Sequence, residues 1–419
     1  MSDNDPNDAA AAVDEARLWQ RHEDMAQHGL TPRGGVNRQA FSEEDRAARR
    51  TMIAWAQALD CTLATDEIGN LYIRRAGRDK KAAPVVTGSH LDSQPTGGKY
   101  DGAYGVLAGM EALAAMRDAG IETKRPIEVV AWSNEEGSRF EPGGMGSAVF
   151  ARDMRLADLL PARDPDGTAL GDALARTLEA TAEVPHRDSG FLIAAYVEAH
   201  IEQGPRLEAA GLPIGVVTGI QGQHNYEITV TGTEAHAGTT PQRDRRDALQ
   251  SAVAIIAALG DLMHDETDTL RFTVGRMDVQ PGSHNTVPGH VAFTIDLRHP
   301  DGAELDRRGD AIEGVCQAHV GPCDVVVHRL NAVAPTRFDP KVIETVQHWA
   351  DALDFSNMLI ASGAGHDAMF VAKLCPAGMI FVPCEKGISH NEAEAATPAD
   401  LAAGARVLTA CLVDLANRV

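Results

Sequence analysis

The chain has 419 residues, more than a single hydrophobic core ordinarily organises, so two or three domains are expected. Its 60 acidic side chains against 38 basic ones leave a formal charge of −22, which repels nucleic acid and anionic membrane surfaces and speaks against either as a partner. No apolar run approaches the ~20 residues that cross a bilayer. The opening MSDNDPNDAAAAVDEARLW lacks the basic start and apolar stretch of a signal peptide, and its first dozen residues are expected to fray. Six cysteines are scattered with no C-x-x-C pair, which fits a reducing, cytoplasmic setting and argues against a disulfide framework or a cysteine zinc knuckle.

In chain order, LYIRR (71–75), PVVTGSH (84–90) and PIEVVAWS (126–133) read as strands, rich in β-branched and aromatic residues. Between the last two, Val106, Met110 and Leu113 recur at helical spacing and Gly120 marks the stop. Strand–helix–strand order predicts an α/β domain with a largely parallel sheet, whose ligand sites lie beyond the carboxyl ends of the strands. His90 and Asp92 fall at one such end, Glu135 and Glu136 at the next.

The pattern changes near residue 213. HNYEITVTG (224–232) alternates, with Tyr226, Ile228 and Val230 on one face. A helix follows in DALQSAVAIIAALGDLM, with Leu249, Val253 and Ile256 as its apolar stripe. TLRFTV (269–274) and HVAFTIDLRH (290–299) are strands, ELDRRGDAIEGVCQAHV a helix with Leu305, Ile312 and Cys316 on one side, and CDVVVHRL (323–330) a last strand. This β-α-β-β-α-β order is the split, ferredoxin-like module, with both helices on one sheet face. Residues 213–330 therefore read as an insertion into a domain formed by 1–212 and 331–419, which closes with the buried strand AGMIFVPC and a long C-terminal helix.

Histidines and acids gather at strand ends and in glycine-rich turns: His90, Asp92, Asp101, Glu135, Glu136, Glu198, His200, Glu202 and His390. Each alone has an ordinary explanation, as a satisfied polar residue, a turn former or a solvated loop. Together, three histidines and several carboxylates are what a pair of divalent ions requires, and imidazole with carboxylate suits Zn, Mn, Co or Ni. One carboxylate can bridge two ions ~3.5–4 Å apart. Asp101 is the natural bridge, because glycine neighbours let the backbone come close. Asp92 can hold the His90 imidazole. Adjacent Glu135 and Glu136 point different ways, so one can bind metal while the other serves as general base.

GSHLDSQPTGGKYDGAYGVL, AWSNEEGSRF, HIEQGP, TEAHAGTTPQRDRRDA, HNTVPG ahead of FTIDLRHP, SGAGHD and GISHNEAE occur in that order. This series resembles the amidase/hydantoinase/carbamoylase group of dinuclear metallohydrolases, related to aminoacylases and carboxypeptidase-type peptidases. The group contains N-carbamoyl-L-amino acid hydrolases, β-ureidopropionases and allantoate amidohydrolases. The resemblance runs from GGVNRQAF to the C-terminus. It implies a metallopeptidase-like catalytic domain with an inserted lid and dimerisation domain, and hence a homodimer. It also implies that His90 and His200 bind one metal and Glu136 and His390 the other, with Asp101 bridging. Glu135 would be the base and Asp92 a support behind the ligands. His200 points to this group, since related peptidases use a carboxylate there. Gln203, His236, Asn285, Arg298 and His366 match positions that contact substrate. Four of them have an ordinary alternative: Gln203 as a helix-start polar group, Asn285 as a turn residue, Arg298 as the partner of a surface acid, His236 as a solvent-exposed loop residue.

The expected activity is hydrolysis of a ureido C–N bond on a small carboxylate, an N-carbamoyl-L-amino acid or N-carbamoyl-β-alanine. His236 and Asn285 would stabilise the oxyanion and Arg298 would bind the carboxylate. Allantoate amidohydrolase activity is the rival within the same fold. A non-catalytic binding protein is the rival of another class, disfavoured because all five ligand positions and Glu135 are present.

Overall fold

The computed structural model describes residues 5–418. It divides into two compact units, one holding the described residues up to Thr218 and from Phe338 onward, the other Gly219–Arg337.

The larger unit is built on a sheet whose strands run, in spatial order, Thr62–Thr65, Leu71–Arg75, Ile127–Trp132, Val85–His90, Ala195–Ile201, Ala377–Val382 and Ile214–Ile220. The four strands from Ile127–Trp132 to Ala377–Val382 are parallel, and antiparallel neighbours flank them on both sides. Every residue of those four is buried. Their near-continuous apolar runs, without alternation, are what a strand covered on both faces requires. The helices Ala103–Asp118 and Pro398–Asn417 pack on each other and on this sheet, and most of their residues are buried. The second begins with a Thr397 cap that accepts from the Asp400 amide and with Pro398 in its first turn. The first ends just before Gly120, which takes a left-handed φ of 67°.

The expected fraying of the first dozen residues is corrected for residues 5–12; residues 1–4 lie outside the described residues. Asp5 caps a short helix, Pro6–Ala11, by accepting from the Asn7 amide, and Ala9 and Ala10 are fully buried against the C-terminal helix. Small alanines allow that close approach. The following helix, Glu15–Ala26, is tied down by the buried Glu111, which accepts from the Asp14 amide at 2.9 Å and from Arg17 at 2.6 Å.

In the smaller unit, strands Gly222–Thr231, Arg271–Gln280, His290–His299 and Asp324–Val333 form an antiparallel sheet. Numbered in chain order, their spatial order is 4-1-3-2, the ferredoxin-like arrangement. Tyr226, Ile228, Val230, Val291, Phe293, Ile295 and Leu297 line one face and pack against helices Ala248–Leu262 and Gly302–His319. The stripe expected for the first of these helices is corrected. Its buried face is Ala248, Ala252, Ile255 and Leu259, whereas Val253 is 52% exposed and Leu249 and Ile256 are only partly buried. The helix carries apolar residues on most of its circumference, so spacing alone offers more than one stripe. Among the described residues no helix is long and apolar enough to cross a membrane, and all six cysteines are free.

Candidate metal centre

The parallel strands of the larger unit deliver their carboxyl ends to one edge of the sheet. Val85–His90 ends on His90, Ile127–Trp132 runs into the turn carrying Glu135 and Glu136, and Ala195–Ile201 presents His200 as its penultimate residue. Beyond Ala377–Val382 a loop carries His390. Asn134, Gln203 and His390 all adopt left-handed backbone, with φ of 54°, 55° and 54°. Such conformations cost energy and cluster where side chains must be aimed.

Asp101 is the hub. Its Oδ1 lies 3.3 Å from His200 Nε2 and 3.9 Å from His90 Nε2, and its Oδ2 lies 3.3 Å from His390 Nε2. His390 Nε2 is also 3.4 Å from Glu136 Oε2. Two clusters able to hold a cation, His90–Asp101–His200 and Asp101–Glu136–His390, thus share one carboxylate. Gly102 makes room for this: a Cβ there would lie 2.3 Å from the His90 ring, and the residue sits at φ 64°.

The donor pattern fits a cation. His90 Nδ1 lies 2.9 Å from the Asp92 carbonyl and His200 Nδ1 2.9 Å from the Ile201 carbonyl. A carbonyl only accepts, so each Nδ1 carries the proton and each Nε2 keeps a lone pair, that of His200 accepting from the Gly102 amide at 3.2 Å. His90 Nε2 also faces Glu135 Oε2 at 3.5 Å. Around His90 Nε2, acceptors thus face acceptors, the environment that a positive ion satisfies.

Asp92 meets His90 through its backbone. Its carboxylate stands 3.8 Å from His90 Nδ1 and accepts instead from the amides of Glu135 and Glu136, at 3.3 and 3.1 Å. It therefore fixes the turn that carries both glutamates. Burial raises Asp92 to about 7, and burial with the neighbouring Asp367, Glu136 and Asp92 charges holds Glu135 well above the usual carboxylate range. Glu136 is pushed to about 8 by burial and by Asp101. Burial lowers His90 to about 4, while the hydrogen bond to Asp101 raises His390 to about 9. Burial acts upward on Asp101 too, but His390, His200 and His90 outweigh it and hold it below its ordinary value.

Gln203 joins the hub, donating to Asp101 Oδ2 at 2.9 Å and to Ser389 Oγ at 3.0 Å. His366 is buried with its ring 4.5 Å from that of His200 and its Nε2 2.9 Å from Ser362 Oγ. Four contributors were not singled out from sequence. Gln94 donates from its amide and its side chain to Glu136, at 3.1 and 2.8 Å. Ser389 and Glu394 support Asp101, and Asp367, buried beside Glu198, accepts from Ser147. Their positions within GISHNEAE, SGAGHD and GSHLDSQP are the available signal.

The remaining candidates belong to the smaller unit. His236 and Asn285 are exposed and adjacent: Ala235–His236 pairs with Thr286–Val287, and the Ala237 amide donates to the Asn285 carbonyl at 3.0 Å. Arg298, on the sheet face opposite the core, forks onto Asp296 at 2.8 and 3.1 Å, and Gln223 donates to the same acid at 2.6 Å.

The sheet is mixed rather than largely parallel, with three parallel pairings at its centre and antiparallel ones outside; histidines and carboxylates converging on one aspartate at the ends of its parallel strands describe a metal-dependent hydrolase of the α/β class. The chain belongs to peptidase family M20/M25/M40, whose model matches residues 86–414. It is 41% identical over 412 residues to an N-carbamoyl-L-amino-acid amidohydrolase of Rhizobium meliloti, covering 97% of this chain and 98% of that one. It is 34% identical to the allantoate amidohydrolase of Bacillus subtilis, covering 94% and 95%. Among solved structures, an amidase of the hydantoinase/carbamoylase family from Burkholderia multivorans matches with a TM-score of 0.92 and 46% identity, over 97% and 98% of the two chains.

Proposed function

We propose that the protein hydrolyses the ureido C–N bond of N-carbamoyl-L-amino acids, releasing the amino acid and carbamate, which decays to ammonia and carbon dioxide. The observation that carries this reading is the single carboxylate, Asp101, shared by two clusters of cation ligands. His90, Asp101 and His200 would hold one divalent ion (Zn, Mn, Co or Ni), and Asp101, Glu136 and His390 a second. Ions bound there would polarise the ureido carbonyl and acidify water, the activation that a carbonyl flanked by two nitrogens needs.

Glu135 accepts the proton from the attacking water and returns it to the leaving nitrogen. Its place 3.5 Å from His90 Nε2, beside the proposed ligands, suits that exchange. Asp92 keeps the Glu135–Glu136 turn in register, and Gln203 and His366 line the same centre. His236 and Asn285 donate to the developing oxyanion. Arg298 takes the substrate carboxylate in the planar fork that it now presents to Asp296. The reading extends to a cytoplasmic homodimer. Strand Asp324–Val333 ends the smaller unit's sheet with Val326 and Leu330 exposed at 65% and 53%, apolar edge surface of the kind a second copy covers.

Allantoate is the alternative substrate, favoured by the Bacillus subtilis relative. A panel of N-carbamoyl-L-amino acids, N-carbamoyl-β-alanine and allantoate, assayed with each of the four metals, tests the reading. Release of ammonia from N-carbamoyl-L-amino acids above the others is expected. Turnover of allantoate alone overturns it in favour of the alternative.

A further inference from the structure

Four residues beyond His390, Glu394 reaches back to the loop that carries Asp101. Its Oε1 accepts from two consecutive amides, Tyr100 at 2.9 Å and Asp101 at 3.1 Å. Its Oε2 lies 3.0 Å from Ser389 Oγ, and that hydroxyl lies 3.0 Å from Asp101 Oδ2. Glu394 is only 5% exposed, so these groups replace water around its carboxylate. Gly98 is shaped to it: a Cβ there would stand 2.0 Å from Glu394 Oε1.

The two loops joined in this way come from opposite ends of the chain and supply Asp101 and His390, which no backbone ladder holds together. We propose that Glu394 is the positioning residue that locks the Asp101 loop to the His390 loop and thereby sets the affinity of the centre for divalent cation. This rests on the divalent-cation reading above. The carboxylate belongs to neither cluster of cation ligands that share Asp101. It acts through the Asp101 amide and through the Ser389 hydroxyl, in the way outer groups fix the orientation of ligands.

The test titrates the chelator-stripped full-length protein with cobalt(II) by calorimetry, alongside thermal melting of the stripped form. Glu394→Ala should bind cobalt about 10- to 100-fold more weakly, the usual loss when an outer partner of a ligand is removed. Glu394→Gln keeps an acceptor for the amides and a donor for Ser389, so its affinity should stay within about threefold of the parent, well inside that range. Gly98→Ala provides an independent arm. It keeps residue 394 a glutamate but crowds its side chain from Cβ to Oε1 and so disturbs its hold on the two amides, and it should weaken cobalt binding in the same direction even if Glu394→Ala does not fold. At saturating cobalt, kcat should recover in each folded variant far more than at limiting cobalt. Parental cobalt affinity in a folded Glu394→Ala or Gly98→Ala protein overturns the inference alone. Failure of the parent to bind cobalt overturns the cation reading together with it.

Discussion

The candidate residues of the two units are held in opposite ways. In the larger unit His90 and His200 are buried with one ring nitrogen tied to a carbonyl, and Asp101 is met by Gln203 and Ser389. In the smaller unit His236 and Asn285 are exposed on and beside a two-residue ladder, where the His236 ring accepts from the amide of its own turn, at Gly238, and the Asn285 side chain from Ser283. Ligands must be set to within a fraction of an ångström before an ion arrives, which calls for rigid, mutually braced loops. Groups that grip a small substrate must first let it in. Substitutions of the ligands and of Glu135 in the larger unit should therefore act on metal content and kcat, and substitution of Arg298 in the smaller unit on KM.

The largest expected effect is loss of metal. Chelation should abolish turnover and added Mn or Co should restore it; full activity in a preparation shown by elemental analysis to be metal-free would remove the proposed chemistry. Next come the adjacent glutamates. Glu135→Gln should lower kcat by about 10²- to 10⁴-fold with metal content unchanged, since that is what a general base contributes. Glu136→Gln should instead lose bound metal. Equal metal loss in both variants would show that the two roles are misassigned. In the smaller unit, Arg298→Ala should raise KM for a carboxylate substrate by about 10- to 100-fold, the worth of hydrogen bonds to a charged group. An uncharged ureido analogue should respond little, and equal losses for both would mean that Arg298 serves only its bond to Asp296. The smallest effects concern the smaller unit's first helix. Ile255→Ala should destabilise by about 2–5 kcal/mol in denaturant titrations. Val253→Ser should change stability by no more than about 0.5 kcal/mol. A reversed order would contradict the buried face described above.

Much of the larger unit was legible because its signals are local. The runs PVVTGSH and PIEVVAWS are rich in β-branched and aromatic residues and so read as strands, and histidines and acids at their ends stand out against them. Glu394 was not legible as a support, because its partners lie near residue 100 and nothing in EAE distinguishes a buried clamp from a solvated acid. The Asp92 carboxylate was expected to face His90, but spacing of two residues does not say whether side chain or carbonyl makes the bond. The docking of Pro6–Ala11 escaped notice because an alanine-rich, acidic start looks the same whether or not another helix waits for it. The helix Ala248–Leu262 misled through abundance, with more apolar residues than one face can hold.

The way the smaller unit is spliced into the chain bears on how the molecule is made. Its first and last residues, Gly219 and Arg337, are paired neighbours on adjacent strands, so it begins and ends at one place. A segment closed on itself in this manner can acquire its shape as soon as Arg337 has left the ribosome. The larger unit has to wait, because Ala377–Val382 belongs between two strands synthesised long before it, Ala195–Ile201 and Ile214–Ile220. Until that strand arrives, the flanking edges stand unpaired and able to bind other chains. The newborn protein thus carries a finished module tethered inside an open sheet, and the late C-terminal segment, which also brings His390, both seals the sheet and completes the centre.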